Sequence, residues 1–170
     1  MRRLYLLRHA KSSWELAGQM DHARGLTDRG RADTALMTNE MQERGIAPDL
    51  IICSSARRTA ETLAGLDEAV VREAKVKITD DAYQASTADL LELVRAVKPK
   101  HESVMVVGHN PSIHDFAVDL AAGGGDLERM AAKFPTAALA EFDVECEWDQ
   151  LAPESAELVA FTTPKELRPA

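Results

Sequence analysis

Three short apolar runs, each followed at once by reactive polar side chains, constrain this chain more than any other feature. Leu4-Tyr5-Leu6-Leu7 precedes Arg8-His9-Ala10-Lys11-Ser12. Leu50-Ile51-Ile52-Cys53 precedes Ser54-Ser55-Ala56-Arg57-Arg58. Val104-Met105-Val106-Val107 precedes Gly108-His109-Asn110-Pro111. The runs do not alternate with polar residues, the pattern of strands buried on both faces and hence of a parallel sheet. Amphipathic helical segments lie between and after them. Thr27 or Asp28 caps a predicted helix that runs to about Arg44, with Gly45 as its stop signal. Ala56, Ala60 and Leu63 form one stripe, and Ser86 or Thr87 opens a helix with Leu90, Leu91, Val94 and Val97 on one face. Asn110 is read as the cap of a helix with Pro111 at its first position, carrying Ile113, Phe116, Ala117, Leu120 and Ala121.

Phe142, Val144, Cys146 and Trp148 alternate with Glu141, Asp143, Glu145 and Glu147, which predicts a strand with one wet face near a sheet edge. Residues 158–161 read as one more strand and 76–78 as a short one, while Gly123-Gly124-Gly125 reads as a flexible turn after a helix. Alternating strands and helices predict an α/β fold. The expectation is a three-layer sandwich with a mainly parallel central sheet and helices on both faces, in a single domain over residues 1–170.

With 28 acidic against 20 basic residues, the net charge is −8. A chain that tracks nucleic-acid phosphates carries a broad basic surface, so nucleic acid is not expected as a partner. Any anionic ligand must be held by a few placed cations against the mean field of the protein. No apolar run nears the 18 or so residues that span a bilayer, so no membrane partner is expected. The apolar run of four near the start is too short for a signal-peptide core, and the expected compartment is the cytoplasm. Cys53 and Cys146 are too few for a disulfide framework and are read as reduced thiols, Cys53 as a buried, inert one. The five histidines show no ligand spacing: His109 and His114 stand five apart and do not share a helix face. No metal and no cofactor are expected.

If the three strands are parallel neighbours, His9, His109, Arg8 and an arginine of the Arg57-Arg58 pair converge in one crevice beyond their carboxyl ends, where such sheets bind ligands. A helix N-terminus after His109 adds free N–H groups and a favourable dipole. Taken singly, each part is an ordinary surface turn or helix start. Together, arginine forks, imidazoles and a helix end describe a phosphate site.

Leu7-Arg8-His9-Ala10-Lys11-Ser12 resembles the arginine–histidine–glycine signature of the histidine phosphatase superfamily, the phosphoglycerate mutase-like fold. Ala10 stands in the glycine place, as in its SixA-type phosphohistidine phosphatase branch. Residues 54–62 resemble the second motif, an arginine four residues after a serine and four before a threonine. That spacing selects Arg58 over Arg57. Residues 106–111 resemble the motif with the second histidine. The segment from Asp21 to Gly30 and the closing Phe161-Thr162-Thr163-Pro164 resemble the branch as well.

The resemblance implies a phosphatase working through a covalent phosphohistidine without a metal, on a phosphorylated protein or a small phosphorylated substrate. His9 is then the nucleophile, neutral because Arg8 lies beside it, with its other ring nitrogen donating to a backbone carbonyl. Arg8, Arg58 and a charged His109 hold the phosphoryl oxygens. Ser12, Lys11 and the Asn110 backbone N–H are read as further substrate-binding groups. Relatives that cleave alkyl phosphates carry a glutamate as general acid. Here Gln84 stands in the nearest segment, and Asp80 or Asp81 is the alternative donor, or a turn residue. An alkoxide needs a proton to leave, whereas an imidazole, with a pKa near 6.5, does not. Phosphohistidine in a protein is therefore the expected substrate. A broad phosphomonoesterase and a phospho-ligand binding module without turnover are the competing readings.

Overall fold

The computed structural model describes residues 1–14 and 17–169. Seven strands form one sheet: β1 (Arg2–Arg8), β2 (Leu50–Ser54), β3 (Lys75–Thr79), β4 (Ser103–Gly108), β5 (Ala121–Gly123), β6 (Leu139–Val144) and β7 (Ala156–Thr162). Their order across the sheet is β3-β2-β4-β1-β6-β7-β5, and only β6 runs antiparallel to its neighbours. The three apolar runs of the sequence are β1, β2 and β4, adjacent and parallel. Their carboxyl ends therefore lie side by side.

Each run is apolar throughout because each strand is covered twice. Leu4, Leu6, Leu50, Ile52, Val104 and Val106 pack against α4 (Thr87–Arg95) and α5 (Ser112–Leu120). Tyr5, Leu7, Ile51, Cys53, Met105 and Val107 pack against α1 (Asp28–Glu43) and α3 (Glu68–Val71). Burying one such aliphatic side chain is worth about 1.5–3 kcal/mol, so alternation with polar residues would forfeit one face of the core. The short α2 (Arg57–Ala64), α6 (Leu127–Ala132) and α7 (Pro164–Leu167) complete the helices.

Local signals act where the sequence places them. The Thr27 hydroxyl accepts the Gly30 N–H at 3.0 Å to cap α1. Gly45, at φ 68°, ends it as the Ile46 N–H returns to the Met41 carbonyl. Ser86 and Asp89 form a reciprocal capping box on α4. Gly30 matters for proximity: a Cβ there would lie 2.2 Å from the Lys11 carbonyl oxygen, so the first turn of α1 rests directly on the loop after β1.

Several expectations are corrected. The predicted strand over residues 139–148 stops at Val144, and residues 148–150 form a 3₁₀ turn. Trp148 turns inward instead, and its indole N–H donates to the His101 carbonyl at 2.7 Å. Nor is β6 a wet edge. It lies between β1 and β7, and Glu141 is buried in an ion pair with Arg44 at 2.5 Å. Alternation misled here because a buried carboxylate with a paired arginine looks, in sequence, like a solvated one. Gly123 belongs to the short edge strand β5 and is not part of a free turn. The helix expected to be capped by Asn110 begins at Ser112 with Pro111 at its cap position, and the Asn110 Oδ1 that a cap would use has no partner among the described residues.

Candidate active site

A cavity of about 300 Å³ lies beyond the carboxyl end of β4, with a lining that includes Asp21, Arg58, Tyr83, Gln84, His109 and Asn110. His9 follows β1 directly, its ring centroid 5.3 Å from that of His109. The His9 Nδ1 lies 2.7 Å from the Ala10 carbonyl. A carbonyl only accepts, so Nδ1 carries the proton and Nε2 keeps its lone pair. Burial, more than any charge, lowers the His9 pKa to about 3; the Ala10 bond opposes this, while His109, Arg8 and Arg58 add to the lowering. The neutrality expected from Arg8 is thus present with a different leading cause, because an almost fully enclosed imidazolium loses its hydration.

His109 differs more from expectation. Burial, then Arg58 and Arg8, hold its pKa at about 4 against the opposing Asp21 carboxylate, so the ring is neutral in the ligand-free protein. Its Nε2 lies 2.7 Å from the Ser54 hydroxyl, which also accepts the Ala56 N–H at 3.3 Å. When Ser54 donates to Nε2 the proton sits on Nδ1, a buried atom with no partner among the described residues. A neutral His109 in this tautomer still offers an N–H donor. Arg8 Nε and Arg58 Nε are likewise buried without partners. Such donors are rare in folded proteins; Arg2 Nε at the far end of β1 is another, whereas Arg8 and His109 stand at the carboxyl ends of β1 and β4 and Arg58 in the first turn of α2 after β2.

The structure separates the two neighbouring arginines. Arg58 is buried and donates to the Asp21 carbonyl at 2.9 Å and carboxylate at 3.1 Å. The Arg57 side chain is 60% exposed and pairs with Glu61 on the surface of α2. The serine–arginine–threonine spacing acquires a physical meaning here. Ser54 orients His109, Arg58 faces the cavity one turn on, and the Thr62 hydroxyl accepts the Ala10 N–H at 3.0 Å, tying α2 to the loop after His9.

Other expected binders are placed differently. Lys11 is exposed, and its carbonyl accepts from Thr27. Ser12 is buried, but its hydroxyl accepts from Arg24 at 2.9 Å. The chain turns away from the cavity after Ala10, because the Ala10 carbonyl is held by His9 and the Lys11 carbonyl by α1. Asn110 lines the cavity while its amide donates to the Phe134 carbonyl, which also accepts from Arg8 at 3.1 Å. Gln84 does line the cavity. Asp80 and Asp81 line the neighbouring depression instead, with the Asp80 carboxylate taken by the Ser55 hydroxyl.

Sequence reading missed the group around Asp21. The Tyr83 hydroxyl donates to the Asp21 carboxylate at 2.7 Å, and Arg58 and Arg24 donate as well. Tyr83 first, and then the two arginines, hold Asp21 at about 2, so it is ionised at neutral pH and has no proton to give. The Arg24 guanidinium lies 3.4 Å from the ring centroid of the exposed Trp14. Asp21 carried no chemical signal of its own in sequence. Only its place in the segment up to Gly30 marked it.

The buried imidazoles set an expected pH dependence. In the unfolded chain both protonate near pH 6.5; in the fold they stay neutral to about 3 and about 4. Below pH 6.5 the unfolded state binds protons that the folded state refuses, so stability falls with pH. The slope is up to about 1.4 kcal/mol per pH unit for each imidazole. Denaturant unfolding of the wild type at pH 6.5 and pH 5 is expected to lose midpoint. The His9→Gln/His109→Gln double variant is expected to lose much less. Equal losses in both proteins would refute the assignment.

Comparison with known proteins agrees with this geometry. The profile of the histidine phosphatase superfamily (branch 1) matches residues 4–82. The Mycobacterium leprae protein ML1117 is 32% identical over 94% of this chain and 100% of its own length. A solved structure described as a candidate phosphohistidine phosphatase SixA, from Agrobacterium tumefaciens, is similar with a TM-score of 0.82. It is 30% identical, over 96% of this chain and 98% of that one. A counterpart from Nakamurella multipartitia has a TM-score of 0.81 at 28% identity, over 96% of both chains.

Proposed function

The chain belongs to the histidine phosphatase superfamily, and from that premise we propose that it removes a phosphoryl group from phosphohistidine in a partner protein through a covalent intermediate on His9. The observation that carries this reading is the trio of orphaned donors on Arg8, Arg58 and His109 beside an imidazole whose Nε2 lone pair is free. His9 Nε2 attacks phosphorus, the substrate P–N bond breaks, and the departing imidazole takes the bond pair, neutral when its other nitrogen is protonated. Water then attacks the phosphorylated His9, releasing inorganic phosphate and restoring the imidazole. The donors neutralise charge on the phosphoryl oxygens in both steps.

The substrate assignment rests on what the cavity lacks in acids. Gln84 cannot give up a proton, Asp21 is ionised, and Asp80 and Asp81 lie outside the lining. A missing general acid costs about 10²–10⁴ in rate where the leaving group needs its proton. Phosphohistidine protein and aryl phosphates are therefore expected to turn over far faster than phosphoglycerate or sugar phosphates. Gln84→Glu is expected to raise alkyl phosphate turnover selectively, by up to about 10²-fold. A side-by-side assay of the substrate classes checks this. Comparable alkyl and aryl rates in the wild type would remove the basis for the phosphohistidine preference.

The chemistry needs no Lewis acid, since the arginines supply the charge. Among the described residues, no three His, Cys, Asp or Glu side chains converge in a metal-ligating cluster. Activity is expected to survive a chelator. Loss on chelation, restored by one specific metal, would overturn the mechanism. No described helix is long and apolar enough to cross a membrane, and both cysteines are free thiols.

A further inference from the structure

We propose that the open edge of β3 docks an extended acidic segment of a partner protein, by strand addition beside a groove rimmed with lysines. Strand β3 is the last strand at one side of the sheet. The Lys75 N–H bonds the Asp49 carbonyl, and the Thr79 carbonyl accepts from the Ser55 N–H, so the odd residues turn their backbone groups toward β2. Val76 and Ile78 therefore present theirs outward, and both side chains are exposed, by 44% and 55%. An uncapped edge of this kind is a template for another strand.

The chemistry of the occupant follows from the register. Lys75 and Lys77 pair with Leu50 and Ile52, so their side chains lie on the α4 face of the sheet. There they rim a groove of about 400 Å³ together with Lys98 and His101, and no carboxylate lines it. Among the described residues, none of these three lysines makes an ion pair. In a chain of net charge −8, this is a local reversal of sign. Val76 and Ile78 also border this groove, but they pair with Ile51 and Cys53 and so direct their side chains to the opposite face. A strand added to β3 thus meets lysines on one face and β-branched apolar side chains on the other. Alternating acidic and apolar residues match both.

A second copy of this chain does not fit. Full antiparallel pairing of two β3 edges sets Lys77 against Lys77, which is destabilising. The edge also points at the candidate active site. Thr79 leads to Asp80, whose carboxylate accepts from Ser55; Ser55 lies 2.9 Å from His22, and the His22 ring packs edge-on against Tyr83 at the cavity. Beyond Lys77 the lining turns acidic, with Asp80, Asp81, Asp89 and Glu92, so the acidic stretch of the partner ends beside Lys77. The docked stretch is about 13 Å long, the rise of four strand residues.

Binding at this edge is independent of turnover, so its test needs no enzymatic assay. A fluorescein-labelled Glu-Val-Glu-Ile-Glu peptide, followed by anisotropy, is expected to bind saturably and to weaken as salt is raised. Amide NMR shifts are expected to centre on Val76 and Ile78. The Lys75→Glu/Lys77→Glu variant is expected to weaken binding by about tenfold or more. N-methylation of the peptide on alternate residues, a change that leaves the protein untouched, is expected to abolish it in one of the two phases. Equal binding of Lys-Val-Lys-Ile-Lys, indifference to both changes, tighter binding of a single-stranded oligonucleotide, or dimerisation through β3 in sedimentation would each overturn the proposal.

Discussion

His9→Ala is expected to abolish formation of the phosphoenzyme and to lower turnover by roughly 10⁴–10⁶-fold, the scale on which removal of a covalent nucleophile acts. The geometry suits the imidazole to this proposed role. The Ala10 carbonyl fixes the proton on Nδ1, and burial keeps the ring neutral down to about pH 3. No neighbour can replace it, because His109 has its Nε2 engaged by Ser54. Brief incubation with a radiolabelled substrate, quenching in base and peptide mapping would find acid-labile label on His9 in the wild type and none in the variant. Label on another residue, or label retained after substitution, would sink the assignment. Thermal melting of the variant separates this loss from unfolding. Removal of a buried imidazole that protonates more readily in the unfolded chain is not expected to lower the melting temperature more at pH 5 than at pH 7.

Arg58→Ala is expected to cost about 10³-fold or more in turnover, while Arg57→Ala stays within a few-fold of wild type. Removal of one preorganised donor to a reacting oxyanion typically costs 10²–10³ in rate, roughly, and Arg58 contributes a full charge as well. Adjacent helical residues diverge by about 100°, so only one of the pair can face the cavity. Arg58 takes that direction and is locked there by the Asp21 carbonyl and carboxylate. Arg57 lies in a solvent-exposed i,i+4 pair with Glu61, an interaction worth about 0.3–0.5 kcal/mol. Steady-state kinetics on an aryl phosphate compare the two variants directly. The reverse ranking would mean that phosphate is held from the other side of α2. The same substitution removes the charge that follows burial in lowering the His109 pKa, so an NMR titration of His109 in Arg58→Ala is expected to move upward.

Buried charge explains both what was readable and what was not. A neutral reading of Glu141 as a solvated residue failed because period-2 alternation reports polarity and not exposure. Its partner Arg44 lies almost a hundred residues away, at the end of α1. The capping role assigned to Asn110 failed for a related reason. The fold turns its side-chain NH2 to the Phe134 carbonyl on the approach to β6 and leaves its Oδ1, the atom a cap would use, without a partner among the described residues.

The sequence by itself determined three strands covered on both faces and the position of His9, Arg58 and His109 just beyond them, while their adjacency in the order β2-β4-β1 came from the fold. Strands covered on both faces have no freedom to carry polar residues, so their limits and the reactive groups beyond them are written as unbroken apolar runs. Local capping was legible for the same reason of short range: Thr27 with Gly30, and Ser86 with Asp89, interact within one turn. Only the tertiary structure decided the rest of the site. Asp21 meets Arg58 and Tyr83 across separations of 37 and 62 residues, Ser54 meets His109 across 55, and Ala10 meets Thr62 across 52. It also decided that burial, more than Arg8, keeps His9 neutral. Hydrogen bonds between distant segments and the loss of water around an enclosed ring depend on how the chain closes on itself, and no local pattern of residues encodes them.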